Sequence, residues 1–335
     1  MDDAATLTRH GDAVGRLLRL AGEDMAAVDA MIGARMQSQV PLIPSLAEHL
    51  IAAGGKRLRP LLTVATARLC GVRGDHHVKL AAAVEFIHTA TLLHDDVVDG
   101  SELRRGKVAA NLIWGSAPSV LVGDYLFARA FGLMVETGDL RALGVLARAA
   151  SVIAEGEVLQ LTRSNDLGLT GETYLEIITA KTAELFAAAA EGGGIAAGAS
   201  EAETQALRRF GLTFGLAFQV VDDVLDYGGA AETLGKNVGD DFREGKVTLP
   251  LAIAVERTGA AEAPFWSRVI GERRQEDGDF RRALELMRGC GALEAATDTA
   301  RRFAEEARGA LEGFPRSAWR DALEALPAFA VARAI

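Results

Sequence analysis

The sequence predicts an all-α fold, and three features of the chain support that prediction. Long Ala- and Leu-rich segments carry apolar residues three and four positions apart, the spacing of a helix with one buried face. Alternating runs of Val, Ile and Thr, which would indicate strands, are almost absent. Apolar residues make up 49% of the 335 residues, so the helices can bury a sizeable core.

Proline and glycine mark the expected helix boundaries. Because proline lacks an N–H group and restricts the residue before it, it is expected where helices start or stop. We expect all eight prolines at such positions: Pro41, Pro44, Pro60, Pro118, Pro250, Pro264, Pro315 and Pro327. A helix is expected from residue 171 to about residue 191, where Gly192-Gly193-Gly194 ends it, and a further helix restarts near Glu201.

The chain is expected to form a single domain over residues 1–335. No linker rich in proline, serine or charge divides it. A two-domain protein is the alternative, because chains above about 300 residues often split into domains. We favour one domain because two acidic motifs, described below, have to meet across a shared cavity.

Composition excludes several classes of protein. The net charge of −10 argues against a nucleic-acid-binding surface. Cys70 and Cys290 are the only cysteines and no CxxC pair occurs, which makes a disulfide framework or a zinc site unexpected. The N-terminus is acidic, and no stretch approaches the roughly 18 uncharged apolar residues of a membrane span. We therefore expect a cytoplasmic protein without an integral membrane segment.

The same acidic pentad occurs twice, as DDVVD at residues 95–99 and as DDVLD at residues 222–226, each after a long apolar segment. On a helix, residues four apart share a face, so Asp95 and Asp99 point the same way, as do Asp222 and Asp226. Like charges one turn apart and apolar neighbours both disfavour ionised carboxylates, so a cation is expected to offset them.

Magnesium is the cation that suits these pentads best. Mg²⁺ prefers oxygen ligands and is usually held by one or two carboxylates together with waters and substrate phosphates. Two pentads that face one cavity would hold a Mg²⁺ cluster around a phosphorylated substrate. A single DxxxD is about as often a solvated helix face as a metal site, but its repetition in the same context favours the metal site.

Basic residues are placed near both pentads. A glycine-led turn at residues 54–60 carries Lys56, Arg57 and Arg59 just before a helix, where backbone N–H groups also attract anions. This arrangement indicates a diphosphate-binding site. Further cations follow the first pentad or accompany the second: Arg104, Arg105, Lys181, Lys236 and Lys246. Each one alone is more commonly a surface charge, but their order around two pentads favours substrate binding.

Together these motifs resemble the trans-isoprenyl diphosphate synthases of the polyprenyl synthetase family. The resemblance spans nearly the whole chain and rests on GGKRLRP at 54–60, EFIHTATLLHDDVVDGSELRRG at 85–106, GDYLFARA at 123–130, KT at 181–182, FQVVDDVLD at 218–226 and KNVGDDFREGKVTLP at 236–250. It implies an isoprenoid synthase fold, in which mostly antiparallel helices surround a deep cavity, usually in a homodimer. It also implies Mg²⁺-dependent condensation of isopentenyl diphosphate onto an allylic diphosphate such as farnesyl diphosphate.

The resemblance also assigns roles to individual residues. About three Mg²⁺ ions per active site would be ligated through Asp95, Asp99 and Asp222, with Asp96, Asp223 and Asp226 ligating or orienting through water. The leaving diphosphate would be held by Arg104, Lys181, Lys236 and Lys246. Isopentenyl diphosphate would be bound by Lys56, Arg59, His88 and Arg105, with Arg57 nearby. Thr182 and Gln219 would steady the reacting carbon or its cation, and His94 is expected to have a structural or hydrogen-bonding role.

Two residues suggest the length of the product. Ala90 and Thr91 lie about one turn before Asp95, where the growing tail should pass. By resemblance, bulky aromatic residues there close the tunnel in short-chain enzymes, so small ones predict a long all-trans product of about eight to ten isoprene units, as used in quinone side chains. Replacing Ala90 with Phe is then expected to shorten the product. If both residues are neutral helix filler, a geranylgeranyl or farnesyl diphosphate synthase is the alternative.

Two other classes of protein compete with this interpretation. A terpene cyclase shares the first acidic motif, but it would normally replace the second with a mixed Asn/Ser/Glu site and lack GGKRLRP. A non-catalytic subunit of a heteromeric synthase would usually lose one or both pentads. Both pentads and GGKRLRP are intact here, which favours the catalytic synthase.

Overall fold

The structure of the protein is a computed structural model that describes residues 13–52, 57–104, 106–228 and 238–333. Helices make up nearly all of its regular structure. In chain order the helices are α1 (Ala13–Leu20), α2 (Gly22–Arg35), α3 (Leu42–Ala52), α4 (Leu58–Leu69), α5 (His76–Val98), α6 (Ala110–Trp114), α7 (Ser116–Val135), α8 (Leu140–Thr162), α9 (Gly171–Ile178), α10 (Glu184–Ala196), α11 (Glu201–Gly228), α12 (Asp240–Glu244), α13 (Leu249–Trp266), α14 (Asp279–Gly289), α15 (Ala292–Ala310) and α16 (Ala318–Ala332). The all-α prediction is confirmed.

Among the described residues, a short hairpin and two π-helical turns interrupt this helical pattern. Strands β1 (Leu103–Arg104) and β2 (Lys107–Val108) form a small antiparallel hairpin after the first pentad. Two π-helical turns, Thr179–Ala183 and Ser267–Gly271, follow α9 and α13. The first of these turns carries Lys181 and Thr182, two of the predicted site residues.

Helix α11 connects two hydrophobic clusters. Leu207, Phe210 and Phe214 on its N-terminal half pack in a cluster built mainly from residues 13–195. Its C-terminal half, from Leu216 to Tyr227, packs in a second cluster with α13, α14 and α15. Because one continuous helix contributes to both clusters, the structure supports the proposal of a single domain.

The three consecutive glycines at 192–194 do not end a helix, contrary to the sequence-based expectation. They lie inside α10, which continues to Ala196. A Cβ atom on Gly193 would lie 2.1 Å from Thr66 Oγ1, and one on Gly194 would lie 2.8 Å from Leu207 Cδ1. The glycines therefore permit α4 and α11 to approach α10 closely, and this tertiary packing outweighs the low helix propensity of glycine.

Two prolines also depart from expectation, because Pro264 lies inside α13 and Pro327 inside α16. Helix α13 is kinked at Gly259 (φ 56°, ψ −147°), five residues before Pro264, so that proline belongs to a restarted helical segment. In α16, burial of Leu323, Leu326 and Val331 around Pro327 keeps the helix intact despite the missing N–H donor. The other six prolines lie in first helical turns or just before helices, as predicted.

Within the described residues, one helix has the length and composition of a membrane span. It is α7, whose charged residues are Asp124 and Arg129 and whose most apolar stretch is 39% buried inside the protein. Because these two charges interrupt it, α7 does not contain the roughly 18 uncharged apolar residues that a membrane span is expected to need. Core helices of soluble proteins meet the same criterion, so α7 is weak support for a membrane span.

Candidate active site

The first pentad lies at the C-terminal end of α5. Asp95 and Asp96 occupy its last turn, and Asp99 is the cap residue, whose N–H donates to the Asp95 carbonyl at 2.8 Å. Asp95 is half-buried and Asp99 is exposed. Burial raises the pKa of Asp95 to about 7; Lys181 opposes that rise, whereas Glu157 and Asp99 add to it. The carboxylate of Asp95 therefore faces both a cation and competing negative charges.

The middle acid of the first pentad is fully buried and ion-paired. The β1–β2 hairpin turns the chain back so that Arg104 Nε donates to Asp96 Oδ1 at 2.8 Å. Asn111 Nδ2 donates to the Asp96 carbonyl at 2.9 Å. Asp96 Oδ2 is buried without a hydrogen-bond partner. In this structure Asp96 anchors the hairpin that follows the pentad, and the predicted contact of Arg104 with diphosphate stays a prediction.

The second pentad lies wholly inside α11 and is more enclosed. Asp222 is half-buried and accepts a hydrogen bond from Arg333 Nη1 at 3.0 Å. Asp226 is buried and accepts from the backbone N–H of Asp241 at 3.0 Å. Burial, together with the charge of Asp241, raises the pKa of Asp226 to about 7.

Both carboxylate oxygens of Asp223 are engaged by other side chains. Gln219 Nε2 donates to Oδ1 at 2.7 Å, and the hydroxyl of Tyr174 donates to Oδ2 at 2.5 Å. Asp223 is only 3% exposed, and its burial raises its pKa to about 7. Burial also raises the pKa of Tyr174 well above its ordinary value, so the phenol remains a hydrogen-bond donor.

The π-helical turn Thr179–Ala183 connects the surroundings of the two pentads. Lys181 Nζ donates to Glu157 Oε2 on α8 at 2.7 Å and interacts electrostatically with Asp95. The next residue, Thr182, donates through its hydroxyl to Gln219 Oε1 on α11 at 3.0 Å. The structure therefore brings Lys181 to the first pentad and Thr182 to a residue one turn before Asp223. Such π-helical insertions are frequent at functional sites.

The predicted isopentenyl diphosphate site is described only in part. Arg59 Nη1 lies 3.2 Å from His88 Nε2, and its guanidinium lies 4.3 Å from the centre of the Phe186 ring. Arg57 instead forms an ion pair with Asp29 on α2. Lys56, Arg105 and Lys236 lie outside the described residues. Lys246 lies 3.3 Å from Asp241 Oδ1, and the charge of Asp241 raises the pKa of Lys246.

Ala90 and Thr91 have different surroundings. Ala90 is completely buried in the core, whereas Thr91 is half-buried and donates to the His88 carbonyl at 2.8 Å. Thr91 also shares a helix face with Asp95, four residues on. Of the two, Thr91 is therefore the better position for a chain-length determinant.

His94 has the hydrogen-bonding role that was predicted for it. Its Nε2 lies 3.2 Å from the Val120 carbonyl on α7. Its ring stacks on Phe127 with centroids 5.9 Å apart. Gly123 allows this approach, because a Cβ atom there would lie 2.3 Å from His94 Nε2.

Four residues that contact the predicted site were missed from the sequence: Glu157, Tyr174, Asp241 and Arg333. Asp241 belongs to the quoted KNVGDDFREGKVTLP motif, so its acidic pair was a visible signal. Nothing local distinguishes the other three, because each meets its partner through contacts distant in sequence.

The donor set fits Mg²⁺ held jointly by protein and substrate. No group of three His, Cys, Asp or Glu side chains close enough to hold a metal occurs among the described residues. However, Asp95 and Asp226 both have a pKa raised to about 7, and Asp96 Oδ2 is buried without a partner. Carboxylates in such surroundings favour a cation. A small number of carboxylates completed by substrate phosphates is the usual way that Mg²⁺ binds.

An all-α bundle with two aspartate pentads and bridging Lys and Thr residues defines the class of prenyl diphosphate synthases, and comparisons with known proteins agree. The sequence model described as polyprenyl synthetase matches residues 40–287. The chain belongs to the polyprenyl synthetase family.

Individual relatives extend this similarity to nearly the full chain. Octaprenyl diphosphate synthase of Escherichia coli (strain K12) is 46% identical over 322 residues, which are 95% of this chain and 98% of that protein. The crystal structure of a polyprenyl synthase from Caulobacter crescentus CB15, complexed with calcium and isoprenyl diphosphate, is 67% identical with a TM-score of 0.93, covering 96% of this chain and 98% of that one. That of a decaprenyl diphosphate synthase from Rhodobacter capsulatus is 54% identical with a TM-score of 0.93, covering 96% and 99%.

These similarities confirm the enzyme class predicted from the sequence. The chain is a trans-prenyltransferase of the long-chain polyprenyl diphosphate synthase type. The shorter-chain alternative has less support, since the relatives described above that are named by product length are an octaprenyl and a decaprenyl synthase. The terpene cyclase and non-catalytic subunit interpretations are not supported.

Proposed function

We propose that this chain extends an allylic diphosphate, such as farnesyl diphosphate, with isopentenyl diphosphate to a product of eight to ten isoprene units, the lengths named for its octaprenyl and decaprenyl relatives. The half-buried Thr91, one turn below Asp95, supports a tail path that is not closed by an aromatic side chain. Products of this length serve as quinone side chains, which is the metabolic role that we propose.

The observation that carries the proposal is the turn Thr179–Ala183. It places Lys181 beside Asp95 and hydrogen-bonds Thr182 to Gln219, so one segment serves both pentads. Asp95, Asp99 and Asp222 retain exposure and would hold Mg²⁺, about three ions with the diphosphate. When bound, Mg²⁺ supplies the positive charge that stabilises the departing diphosphate. The calcium in the Caulobacter relative supports a divalent cation.

The chain's own residues would then stabilise charge separation. When the allylic C–O bond breaks, its electron pair leaves with the diphosphate, and Lys181 would bind that anion. Thr182 and Gln219 would direct oxygen atoms at the allyl cation. The double bond of isopentenyl diphosphate, held at Arg59 and His88, attacks the cation, and loss of a proton restores an alkene. By family resemblance the released diphosphate takes this proton.

We also propose a homodimer formed through the outer faces of α7 and α8. Large apolar side chains are exposed there, including Leu121 (67%), Val135 (63%) and Leu140 (80%). Exposed apolar patches mark interaction sites, and most soluble oligomers are built from copies of one chain, so a second copy is the partner that we propose. This arrangement also accounts for the apolar composition of α7 without a membrane span. Leu121→Asp is expected to shift the mass in solution from dimer to monomer, measured by light scattering. We propose a cytoplasmic location.

The product can be measured directly. The purified chain is incubated with Mg²⁺, labelled isopentenyl diphosphate and farnesyl diphosphate, and the dephosphorylated products are analysed by mass spectrometry. A ladder ending at eight to ten units supports the proposal. Products that stop at four units would overturn the length. If farnesyl diphosphate is not elongated, geranyl and geranylgeranyl diphosphate are tested in the same way, and an absence of elongation with all three primers would overturn the activity of the chain on its own.

A further inference from the structure

One face of α11 contacts the antiparallel segment 174–187 at each successive turn. Gly211, Gly215, Gln219 and Asp223 lie at four-residue spacing on that face. A Cβ atom on Gly211 would lie 2.3 Å from the Phe186 carbonyl oxygen, and one on Gly215 would lie 2.7 Å from Ala183 Cα. Farther along the face, side chains replace backbone contact, with Gln219 bound to Thr182 and Asp223 bound to Tyr174. The two glycines therefore hold the segments close enough for these polar contacts to form.

The polar contacts form one chain with a fixed direction. Tyr174 donates to Asp223, Gln219 donates to Asp223 through its side-chain nitrogen Nε2, and Thr182 donates to the side-chain oxygen Oε1 of Gln219. Both oxygens of Asp223 accept hydrogen bonds in this structure, so the amide of Gln219 turns its nitrogen toward Asp223. Its oxygen then faces Thr182, whose single hydroxyl proton is used in donating to it.

This direction fixes the orientation of the Thr182 hydroxyl group. With its proton directed at Gln219, the hydroxyl oxygen of Thr182 presents its lone pairs to the remaining surroundings. A second lone pair of the Gln219 oxygen is also available. Lone pairs favour a developing cation, whereas a hydroxyl proton or an amide N–H aimed at it would oppose it.

We infer that Asp223 and Tyr174 are positioning residues, and that Asp223 acts by fixing the orientation of Gln219 and Thr182 instead of ligating a metal ion. This inference rests on the proposed function, because the orientation matters only if Thr182 and Gln219 face an allyl cation. It accounts for the burial of Asp223 and for the use of both of its oxygens by neutral donors.

The first test removes one donor. Tyr174→Phe leaves Asp223 held by Gln219 alone, so kcat is expected to fall about tenfold, the scale of one lost hydrogen bond to a charged group. KM for both substrates and the half-saturating Mg²⁺ concentration are expected to change less than about twofold. Tyr125→Phe is the matched control, because Tyr125 also bonds a charged group, Arg129, at 2.8 Å. An unchanged kcat in Tyr174→Phe would overturn the role of Tyr174.

The decisive test exchanges amide and carboxylate between positions 219 and 223. Asp223→Asn alone allows the Gln219 amide to flip, and Gln219→Glu alone sets two carboxylates against each other, so each is expected to lower kcat about 100-fold. In the double variant, the new amide at 223 accepts from Tyr174 and donates to the new carboxylate at 219, which still accepts from Thr182. The direction at Thr182 is restored, and kcat is expected to recover at least about tenfold over either single variant.

A metal-ligating role for Asp223 predicts the opposite result. The double variant has no carboxylate at position 223, so its kcat would stay as low as that of Asp223→Asn. Calorimetric titration of Mg²⁺ in the presence of inorganic diphosphate gives an independent readout. We expect a dissociation constant within about threefold of wild type for Asp223→Asn, whereas loss of a ligand would weaken it more than about tenfold. Failure of the rescue, or that weakening, would overturn the inference.

Wild-type protein measured in parallel separates this inference from the proposed function. If wild type does not elongate, the proposed function fails whatever the variants do. If wild type elongates and the double variant is not rescued, only the positioning role fails. Circular dichroism melting of each variant verifies folding, and Tyr174→Phe supplies the kinetic test if Gln219→Glu does not fold.

Discussion

The two pentads have nearly the same sequence but different surroundings. The first lies at the end of α5, where the chain leaves the helix and Asp99 is exposed. The second lies inside α11, where the corresponding Asp226 is buried under the backbone N–H of Asp241. The first pentad is therefore open on one side, whereas the second is enclosed by segments from elsewhere in the chain.

The middle acids of the two pentads are alike in burial and differ in partner. Asp96 and Asp223 are 0% and 3% exposed. Each is the second residue of its pentad, and on a helix it points away from the face that the first and fifth residues share. Asp96 is paired with a cation, Arg104, while Asp223 is bound by the neutral donors Gln219 and Tyr174. Repetition of a motif thus repeats its helical geometry without repeating its electrostatics.

The largest effect is expected at the first acid of each pentad. Asp95→Asn and Asp222→Asn are each expected to lower kcat about 1,000-fold, because they remove charge that would hold metal against the leaving diphosphate. The half-saturating Mg²⁺ concentration should rise as well, measured in the elongation assay. Asp298→Asn, an exposed acid paired with Arg301, is the control. A loss below about tenfold at either position would show that its pentad is not a metal site.

The next effect is on stability and tests the ion pair that distinguishes Asp96 from Asp223. Arg104→Met leaves the buried carboxylate of Asp96 without its cation and is expected to lower the free energy of unfolding by about 3 kcal/mol, measured in urea. Combining it with Asp96→Leu removes both charges and should recover most of the stability without recovering activity. If the double variant is no more stable than Arg104→Met, the ion pair between Arg104 and Asp96 does not account for the contribution of Arg104 to stability.

The product should respond to bulk beneath the first pentad. Thr91→Phe is expected to shorten the product by several isoprene units, as seen by mass spectrometry, because Thr91 is half-buried on the face of Asp95. The sequence alone predicts that Ala90→Phe shortens the product, but Ala90 is fully buried in this structure, so the added bulk should mainly lower stability, by about 1–3 kcal/mol. Thr89→Phe, on another face, is the matched control. Unchanged product length in Thr91→Phe would exclude this path for the tail.

The smallest effect is the pH dependence of stability without metal. Asp95, Asp223 and Asp226 have a pKa of about 7 in the folded chain, above the unfolded value of 3.8. The folded state therefore binds more protons between these values, so the melting temperature should fall as pH rises from about 4 to about 7. Mg²⁺ with inorganic diphosphate should reduce this slope, as should Asp95→Asn or Asp226→Asn. A slope identical in all of these samples would contradict the raised pKa values.

Local patterns predicted most of the fold and the residues that we propose for the site. Apolar spacing predicted the helices, and the pentads with their four-residue spacing indicated the faces that we propose to bind metal. Patterns failed where packing opposed propensity: three glycines continue α10 because α4 and α11 lie against them, and Pro327 continues α16 within a buried cluster. The π-helical turn at Lys181 and Thr182 also has no local signal. It packs closely on Gly156 of α8, where a Cβ would lie 2.7 Å from Ala180 Cβ.

The sequence by itself determined the reaction class, because the chemistry depends on residue types at short spacings that a helix converts directly into shared faces. Only the tertiary structure decided which acid of each pentad is open and which is held. Glu157, Tyr174 and Arg333 reach Lys181, Asp223 and Asp222 across 24, 49 and 111 positions of sequence. Such pairs form when separate helices pack, and the burial that this packing creates sets the charge and orientation of each side chain.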